Sequence, residues 1–270
     1  MKTFVITLSN NKDSVRSAEK VRQSAIKVGY KEPLEHFEAI TPDQWQDILP
    51  DNGNRRFHIM DREAEAEFGR PNNIGAAFTS HYLLWKKCVE LGEPILILEH
   101  DAIFVDNIPD IEFDKCVNFG RPSYIRPFAM SYKEPEDGVH LLDQANFLGH
   151  HAYAMKPEAA EIFIADVETR ELICNDIWMD KVTYPWLEEY RPFPIIADTD
   201  FSTLQTNLPH DNVLISEWAK ITAEDSPHRA YIEKYFPQVL VPQSNRHIKA
   251  IETEPEIPIP LSNKPNAEKK

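Results

Sequence analysis

A short, continuously apolar segment, PILIL at residues 94–98, constrains the fold of this chain more than any other feature. The polar residues Glu99, His100 and Asp101 follow it at once. A short strand that is apolar on both faces is typical of the interior of a parallel sheet, where helices cover both sides. The segment therefore predicts a buried strand that ends at a polar edge of a sheet.

The first forty residues contain the other elements that such a sheet needs. An apolar strand is predicted at residues 3–8, and apolar positions recur at helical spacing over residues 18–28. Asp13 or Ser14 is the predicted cap of this helix. A second strand is predicted at residues 36–40. Strand, helix and strand in this order are typical of the opening of a parallel α/β sheet.

The rest of the chain contains further predicted helices and strands, followed by a segment without such a pattern. Helical periodicity at residues 74–91 predicts a long helix before the apolar strand. Further segments are predicted as one or two strands at 145–155, a helix from 157, a helix at 171–182 and a short strand at 191–197. The proline-rich, charged residues 250–270 predict a disordered tail. We therefore expect one domain, residues 1–249, followed by this tail.

Charge and composition narrow the classes of function. The chain has 29 Lys and Arg against 44 Asp and Glu, a net charge of −15. A nucleic-acid binder needs clustered basic residues, so nucleic acid is an unlikely partner. No segment approaches the roughly 20 apolar residues of a membrane helix. The 3 cysteines are too widely spaced for a disulfide framework or a zinc site, which favours the cytoplasm.

The triplet after the apolar strand predicts a metal site. Ligands of parallel α/β sheets bind outside the carboxyl ends of the strands. Because side chains alternate along a strand, Glu99 and Asp101 are expected on one side and His100 on the other. A divalent cation such as Mg²⁺ or Mn²⁺ would relieve the repulsion between two carboxylates and hold a diphosphate. The alternative is that these acids only cap the strand or form salt bridges.

Several segments up to about residue 207 resemble glycosyltransferase family 25, the group of lipooligosaccharide and collagen galactosyltransferases. They are FVITLSNNKDSVR (4–16), FEAI (37–40), NIGAAFTSHYLLWKKCVELGEPILILEHDA (73–102), GHHAYAMKPEAAEIF (149–163), CNDIWM (174–179) and DTDFSTL (198–204). Two positions depart from the family pattern. The family usually has Glu-Asp-Asp where this chain has His100 in the middle, and an acidic residue where this chain has Asn73.

The resemblance implies an α/β, Rossmann-like nucleotide-diphospho-sugar transferase of the GT-A type with a mostly parallel central sheet. It implies an inverting enzyme that moves galactose or glucose from a UDP-sugar to a glycan or surface-polysaccharide acceptor, as in lipopolysaccharide biosynthesis. Mn²⁺ or Mg²⁺ is the implied cofactor. We expect the enzyme to act in the cytoplasm, with the inner face of the membrane as an alternative location. The sequence predicts no particular oligomeric state.

The resemblance also implies three groups of site residues. The expected nucleotide-binding residues are Leu8, Ser9, Asn10, Arg16, Ala39, Ile40, Ser80 and His81. The expected metal ligands are Glu99 and Asp101. Asp176 is the expected general base, and Asp200 is the alternative acid or an acceptor contact. Three imidazoles stay open as a further metal ligand: His150, His151 and His210.

Two functions of other classes stay open. The first is a catalytically silent scaffold of the same fold that binds a nucleotide sugar or a glycan, which the departure at His100 permits. The second is a metal-dependent hydrolase built on residues 99–101, although the chain lacks the further His and Asp clusters that such enzymes need. Binding of UDP separates the hydrolase from the other two, and sugar turnover separates the enzyme from the scaffold.

Overall fold

The computed structural model describes residues 1–50, 71–121 and 137–198. Its strands are β1 (Lys2–Thr7), β2 (Leu34–Glu38), β3 (Ile95–Glu99), β4 (Ala102–Phe104), β5 (Cys116–Asn118), β6 (Gly138–Leu141), β7 (Ala152–Met155), β8 (Leu187–Arg191) and β9 (Ile195–Ala197). Its helices are α1 (Lys12–Lys27), α2 (Trp45–Ile48), α3 (Pro71–Leu91), α4 (Pro157–Val167) and α5 (Asn175–Trp178).

The described residues form a mixed α/β fold around a seven-stranded sheet in the order β2-β1-β3-β7-β5-β8-β6. The strands β2, β1, β3, β5 and β8 run in one direction, and β7 and β6 run against them. The expected mostly parallel sheet is therefore confirmed. Strands β4 and β9 pair separately in an antiparallel ribbon.

The position of β1 in the sheet determines where a ligand can bind. Strand β1 pairs in parallel with β2 on one side and with β3 on the other. The connections from β1 to β2 and onward to β3 therefore leave in opposite directions along the sheet. A crevice forms outside the carboxyl ends of the strands at such a switch point.

Both faces of β3 are covered by helices, which explains the apolar segment in the sequence. Leu96 and Leu98 pack with the buried face of α1, and Ile95 and Ile97 pack on the opposite side with α3 and α4. All four side chains are fully buried. Burying a side chain of this size contributes roughly 1.5–3 kcal/mol. The predicted interior strand is confirmed.

The start of α1 differs from the prediction. Its cap is Asn11, whose side chain accepts hydrogen bonds from the backbone N–H groups of Asp13 and Ser14 at 2.9 and 3.2 Å. Ser14 is instead buried, and its Oγ accepts from the Leu8 N–H at 3.0 Å. The prediction of Asp13 or Ser14 as the cap is wrong because the helix begins at residue 12, so both residues already lie inside its first turn.

Two later predictions are also corrected. Of the one or two strands predicted at 145–155, the structure contains β7, and residues 148–151, with Gly149 at φ +93°, form the turn that leads into it. The helix predicted at 171–182 is only the single turn α5. It ends because the Phe147 N–H donates to the Met179 carbonyl at 2.9 Å and Asn146 bridges Asp180, so the chain leaves helical geometry.

The predicted boundary at residues 249 and 250, together with Asp200 and His210, lies outside the described residues. Within the described ranges, no helix is long and apolar enough to cross a membrane.

Candidate functional site

A cleft opens at the carboxyl ends of β1, β2 and β3, with α3 as one wall. It contains about 550 Å³ of space, part of it open to solvent. Five of the residues predicted to bind the nucleotide line it: Leu8, Ala39, Ile40, Ser80 and His81. Glu99 and His100 form its polar end. The fold thus brings together residues that are up to 92 positions apart in the sequence.

Ser80 fixes the wall of this cleft. Its hydroxyl donates to the Ala76 carbonyl at 2.9 Å and accepts from the Ile40 N–H at the same distance. This pair of hydrogen bonds joins the segment after β2 to α3. Ser80 is buried, so its described contacts hold the cleft in shape.

The other three predicted nucleotide residues do not line the cleft. Ser9 donates its backbone N–H to Glu38 at 3.0 Å, and its hydroxyl contacts both Glu38 and His36. Asn10 and Arg16 are exposed at the start of α1. Their role in nucleotide binding stays a prediction.

Glu99 stands at the centre of a cluster of metal-ligating side chains. Its Oε1 lies 3.4 Å from Nε2 of His81 and 3.3 Å from Nδ1 of His150. The two imidazole rings lie 4.0 Å apart between centroids. One ligand atom from each of the three residues falls within 4.8 Å of the other two. His150 was one of the three imidazoles left open by the sequence.

A buried tyrosine sets the orientation of His81. The Trp85 Nε1–H donates to the Tyr153 hydroxyl oxygen at 2.8 Å, and this hydroxyl lies 3.0 Å from Nδ1 of His81. With one bond already accepted, the hydroxyl is free to donate its own proton to Nδ1. The neutral imidazole then carries its hydrogen on Nε2 and donates it to Glu99.

The electrostatics of the cluster agree with this arrangement. Burial, reinforced by the neighbouring His150, lowers the pKa of His81 to about 4 despite the opposing carboxylate of Glu99. Burial alone would raise the pKa of Glu99, but hydrogen bonds from His150 and His81 lower it well below its usual range. The cluster therefore contains an ionised carboxylate and a neutral His81.

Asp101 does not belong to this cluster. Strand β3 ends at Glu99, and residues 100–101 form a turn, so the alternation expected from a continuing strand does not apply. The Oδ1 atom of Asp101 is buried and has no hydrogen-bond partner among the described residues. Burial and the charge of Glu99 raise the pKa of Asp101 well above its usual range. Its role as a metal ligand stays a prediction.

The residues present fit a divalent cation. Imidazole nitrogens and carboxylate oxygens are common ligands of such ions. A cation next to Glu99 would also offset the charge that raises the pKa of Asp101. His151 is buried nearby, with its pKa lowered to about 4 mainly by burial, but it is not part of the cluster.

Asp176, the expected general base, lies in the single turn α5. This turn is held by Trp178, whose ring stacks on Trp85 at 5.7 Å between centroids. The Asp176 Oδ1 is buried without a hydrogen-bond partner in the part of the chain that the structure describes. Burial raises the pKa of Cys174, and the carboxylates of Asp176 and Glu99 raise it further. The carboxylates of Asp176 and Glu99 thus both raise the pKa of the same thiol.

The sequence prediction missed Tyr153, although one signal was present. In HHAYAM, residues 150–155, every second residue from His151 faces the same side of β7. A tyrosine in a strand that otherwise carries small or apolar residues needs a partner for its hydroxyl when it is buried. The identity of that partner depends on α3, which local periodicity does not reveal.

Substitution of Tyr153 by phenylalanine is expected to lower the free energy of unfolding by about 2–3 kcal/mol, because the Trp85 N–H and the His81 Nδ1 both lose a buried partner. The matched control is Tyr30→Phe, which removes one partly buried bond to Thr3 and should cost about 1 kcal/mol. Urea unfolding of both variants measures the difference. Equal losses would show that the hydroxyl of Tyr153 does not support two groups.

The sheet and its cleft define an α/β protein with a crevice at the carboxyl ends of its first strands, where ligands of such sheets generally bind. Residues 1–179 of the 270 match the family described as "Glycosyltransferase family 25 (LPS biosynthesis protein)". The chain belongs to this family and is a glycosyltransferase, an enzyme that takes a sugar from a donor to an acceptor.

Comparison with characterised protein sequences finds no significant match. Among solved structures, the chain is similar to the inositol-1-phosphate CTP transferase from T. maritima. The two share 10% sequence identity over 70% of this chain and 84% of the other, with a TM-score of 0.33.

Proposed function

We propose that this glycosyltransferase moves a hexose, galactose or glucose, from a UDP-sugar to a glycan acceptor of a surface polysaccharide such as lipopolysaccharide. It does so on a GT-A-type fold. The observation that carries the proposal is the cleft at the ends of β1, β2 and β3, which leads from apolar walls to the ionised Glu99.

The two ends of the cleft suit the two parts of a nucleotide sugar. Leu8, Ala39 and Ile40 offer apolar surface to a flat base and its ribose. Small-molecule sites typically combine such walls with a few placed polar groups. The diphosphate would then lie towards Glu99 and His81.

A diphosphate beside the ionised Glu99 needs a cation between the two negative charges. The resemblance implies Mn²⁺ or Mg²⁺, held by Glu99 with Asp101 as a second oxygen ligand. When bound, the ion supplies positive charge that stabilises the UDP leaving group. The chain itself holds the donor. Ser80 contributes by fixing Ile40, which forms part of the cleft wall.

Asp176 is the proposed general base. Its carboxylate is half-buried, and the buried Oδ1 atom has no hydrogen-bond partner among the described residues. In this proposal the carboxylate takes the proton of the acceptor hydroxyl. The stacking of Trp178 on Trp85 fixes the helical turn that carries it. A base of this kind contributes typically 10²–10⁴-fold to the rate.

The stereochemical course is a separate part of the proposal. The inverting course implied by the resemblance requires one base that deprotonates the acceptor on the side of the sugar opposite UDP. A retaining course requires either two displacements or attack from the side of the leaving group. The coupling constant of the anomeric proton in the first product, measured by NMR, distinguishes inversion from retention.

The first experiment is calorimetric titration of the full chain with UDP, in the presence of Mn²⁺ and in EDTA. We expect binding that depends on the metal. UDP-galactose and UDP-glucose are then screened for turnover with polysaccharide acceptors. Absence of UDP binding under both conditions would contradict the proposed donor. Binding without turnover of either sugar would instead support the silent scaffold.

We also propose that the transfer takes place in the cytoplasm or at the inner face of the membrane, where a growing polysaccharide acceptor would be presented.

A further inference from the structure

We propose that the metal centre of this chain is formed by His81, Glu99 and His150, and that it selects a tetrahedral late first-row ion of the Zn²⁺ or Co²⁺ type over Mg²⁺. The inference keeps the role that the proposed function gives to the ion. It replaces Asp101 by two histidines as ligands, and Mn²⁺ or Mg²⁺ by an ion of the Zn²⁺ or Co²⁺ type. It rests on that function only for the role of the ion, because the binding itself is measurable without a sugar donor.

The chemistry of the donors is the first argument. The cluster offers two imidazole nitrogens and one carboxylate oxygen. Imidazole suits Zn²⁺ and its neighbours in the first transition row, whereas Mg²⁺ prefers carboxylate, phosphate and water oxygens. Two histidines with one glutamate also form the protein ligands of a common class of zinc sites in enzymes, in which a fourth position stays open.

The distances are the second argument. Two ligands that bind a tetrahedral ion at about 2.05 Å lie roughly 3.3–3.4 Å apart. Neighbouring ligands of an octahedral Mg²⁺ at the same bond length lie roughly 2.9 Å apart. The Glu99 Oε1 is 3.4 Å from the His81 nitrogen and 3.3 Å from the His150 nitrogen. Both separations fit the tetrahedral ion, and they equally fit the hydrogen bonds between Glu99 and the two imidazoles, so the distances permit the ion and the donor chemistry selects it.

The surrounding structure holds the ligands in place, as metal sites require. His81 and His150 are 1% and 6% exposed, and the Tyr153 hydroxyl holds His81 through its Nδ1. Binding of an ion at Nε2 moves the imidazole hydrogen to Nδ1. The Tyr153 oxygen, which has a second lone pair, can then accept it.

The centre also lies where the proposed substrate needs it. His81 and Glu99 both line the cleft, so an ion between them borders the space in which a diphosphate would lie. The open fourth position of the tetrahedron is then available to a phosphate oxygen.

The competing explanation is that Glu99 is simply hydrogen-bonded by two imidazoles and holds no metal. Cobalt discriminates between the two, since tetrahedral Co²⁺ with nitrogen ligands gives intense visible absorption bands that octahedral Co²⁺ lacks. The metal-free full chain is titrated with Co²⁺, and separate samples of the Co²⁺-bound chain are then challenged with Zn²⁺ or with excess Mg²⁺. We expect the intense bands, their loss with Zn²⁺, and no displacement by Mg²⁺.

Variants test the ligand set. His150→Ala and Glu99→Gln should each weaken Co²⁺ binding at least about 10-fold, because loss of even an outer-shell partner costs 10–100-fold in affinity. Asp101→Asn tests the second carboxylate and should change the affinity less than about 3-fold. The matched control is His36→Ala, an exposed histidine in the middle of β2, which should have no effect. Thermal melting confirms that each variant is folded.

Three results would overturn the inference: no intense visible band, displacement of Co²⁺ by Mg²⁺, or loss of binding in Asp101→Asn but not in His150→Ala. The outcomes also separate this inference from the proposed function. Sugar transfer with Mg²⁺ in a chain that does not bind Co²⁺ would refute only the inference. Tight Co²⁺ binding in a chain that does not bind UDP would refute only the proposed function.

Discussion

Replacing Glu99 by glutamine is expected to lower the rate of sugar transfer by at least about 100-fold, the range found when one preorganised electrostatic group is removed from an active site. Glutamine keeps the shape of the side chain and can still bond to one imidazole, so the fold should be retained. It removes the ionised carboxylate that two histidines stabilise at the end of the cleft. Steady-state kinetics with a UDP-hexose measures the loss in kcat/KM.

The control for this substitution is Glu93→Gln, close to the opposite end of the same strand. Glu93 forms an ion pair with Lys2 at 3.4 Å, and both side chains are nearly half exposed. Such a pair contributes about 0–1 kcal/mol, so both activity and stability should stay close to those of the unchanged protein. If Glu99→Gln retained activity within about 3-fold, the carboxylate would have only a structural role.

Replacing Gly149 by alanine is expected to lower the free energy of unfolding by at least about 3 kcal/mol. Gly149 has φ +93°, and a Cβ added there would lie 2.0 Å from the Gly120 carbonyl oxygen. Left-handed backbone costs roughly 1–2 kcal/mol for a residue with a side chain, and the contact adds to this because the atoms that the new Cβ meets first belong to the Gly120 backbone. His150 follows directly, so weaker metal binding should accompany the loss of stability.

The control is Gly29→Ala. Gly29 has φ +77°, but a Cβ there would meet no atom within 4 Å. Only the backbone strain of roughly 1–2 kcal/mol applies, and metal binding should not change. Urea unfolding and Co²⁺ titration of both variants test the comparison. Equal losses at the two positions would mean that the Gly120 segment gives way to the new methyl group.

The predictions from sequence were accurate where a local pattern determined the structure. The apolar strand β3 and the amphipathic helices α1 and α3 were predicted because burial on one or both faces leaves a period in the sequence. They were inaccurate where a contact with a distant segment decided the outcome. The end of α5 depends on residues 146–147, about 30 positions earlier in the chain.

The residues of the candidate site show the same contrast between local patterns and distant contacts. Glu99 was predicted as a site residue because it stands at the carboxyl end of a buried strand. In parallel α/β sheets, ligands bind outside this edge. Its expected partner, Asp101, was deduced from alternation along a strand, but the strand ends at Glu99 and a turn follows. His81 was expected near the nucleotide, and His150 was one of three open imidazoles.

The class of the protein follows from local features of the sequence. Its strand-helix-strand opening, its buried strand and its family segments all depend on residues that are close together in the chain. The groups that face Glu99 depend instead on how distant segments pack together. His81, Glu99 and His150 come from α3, β3 and the turn before β7, and the hydroxyl of Tyr153 orients one of them. Periodicity indicates which face of a helix or strand is buried. It does not indicate which side chains of other helices and strands contact that face.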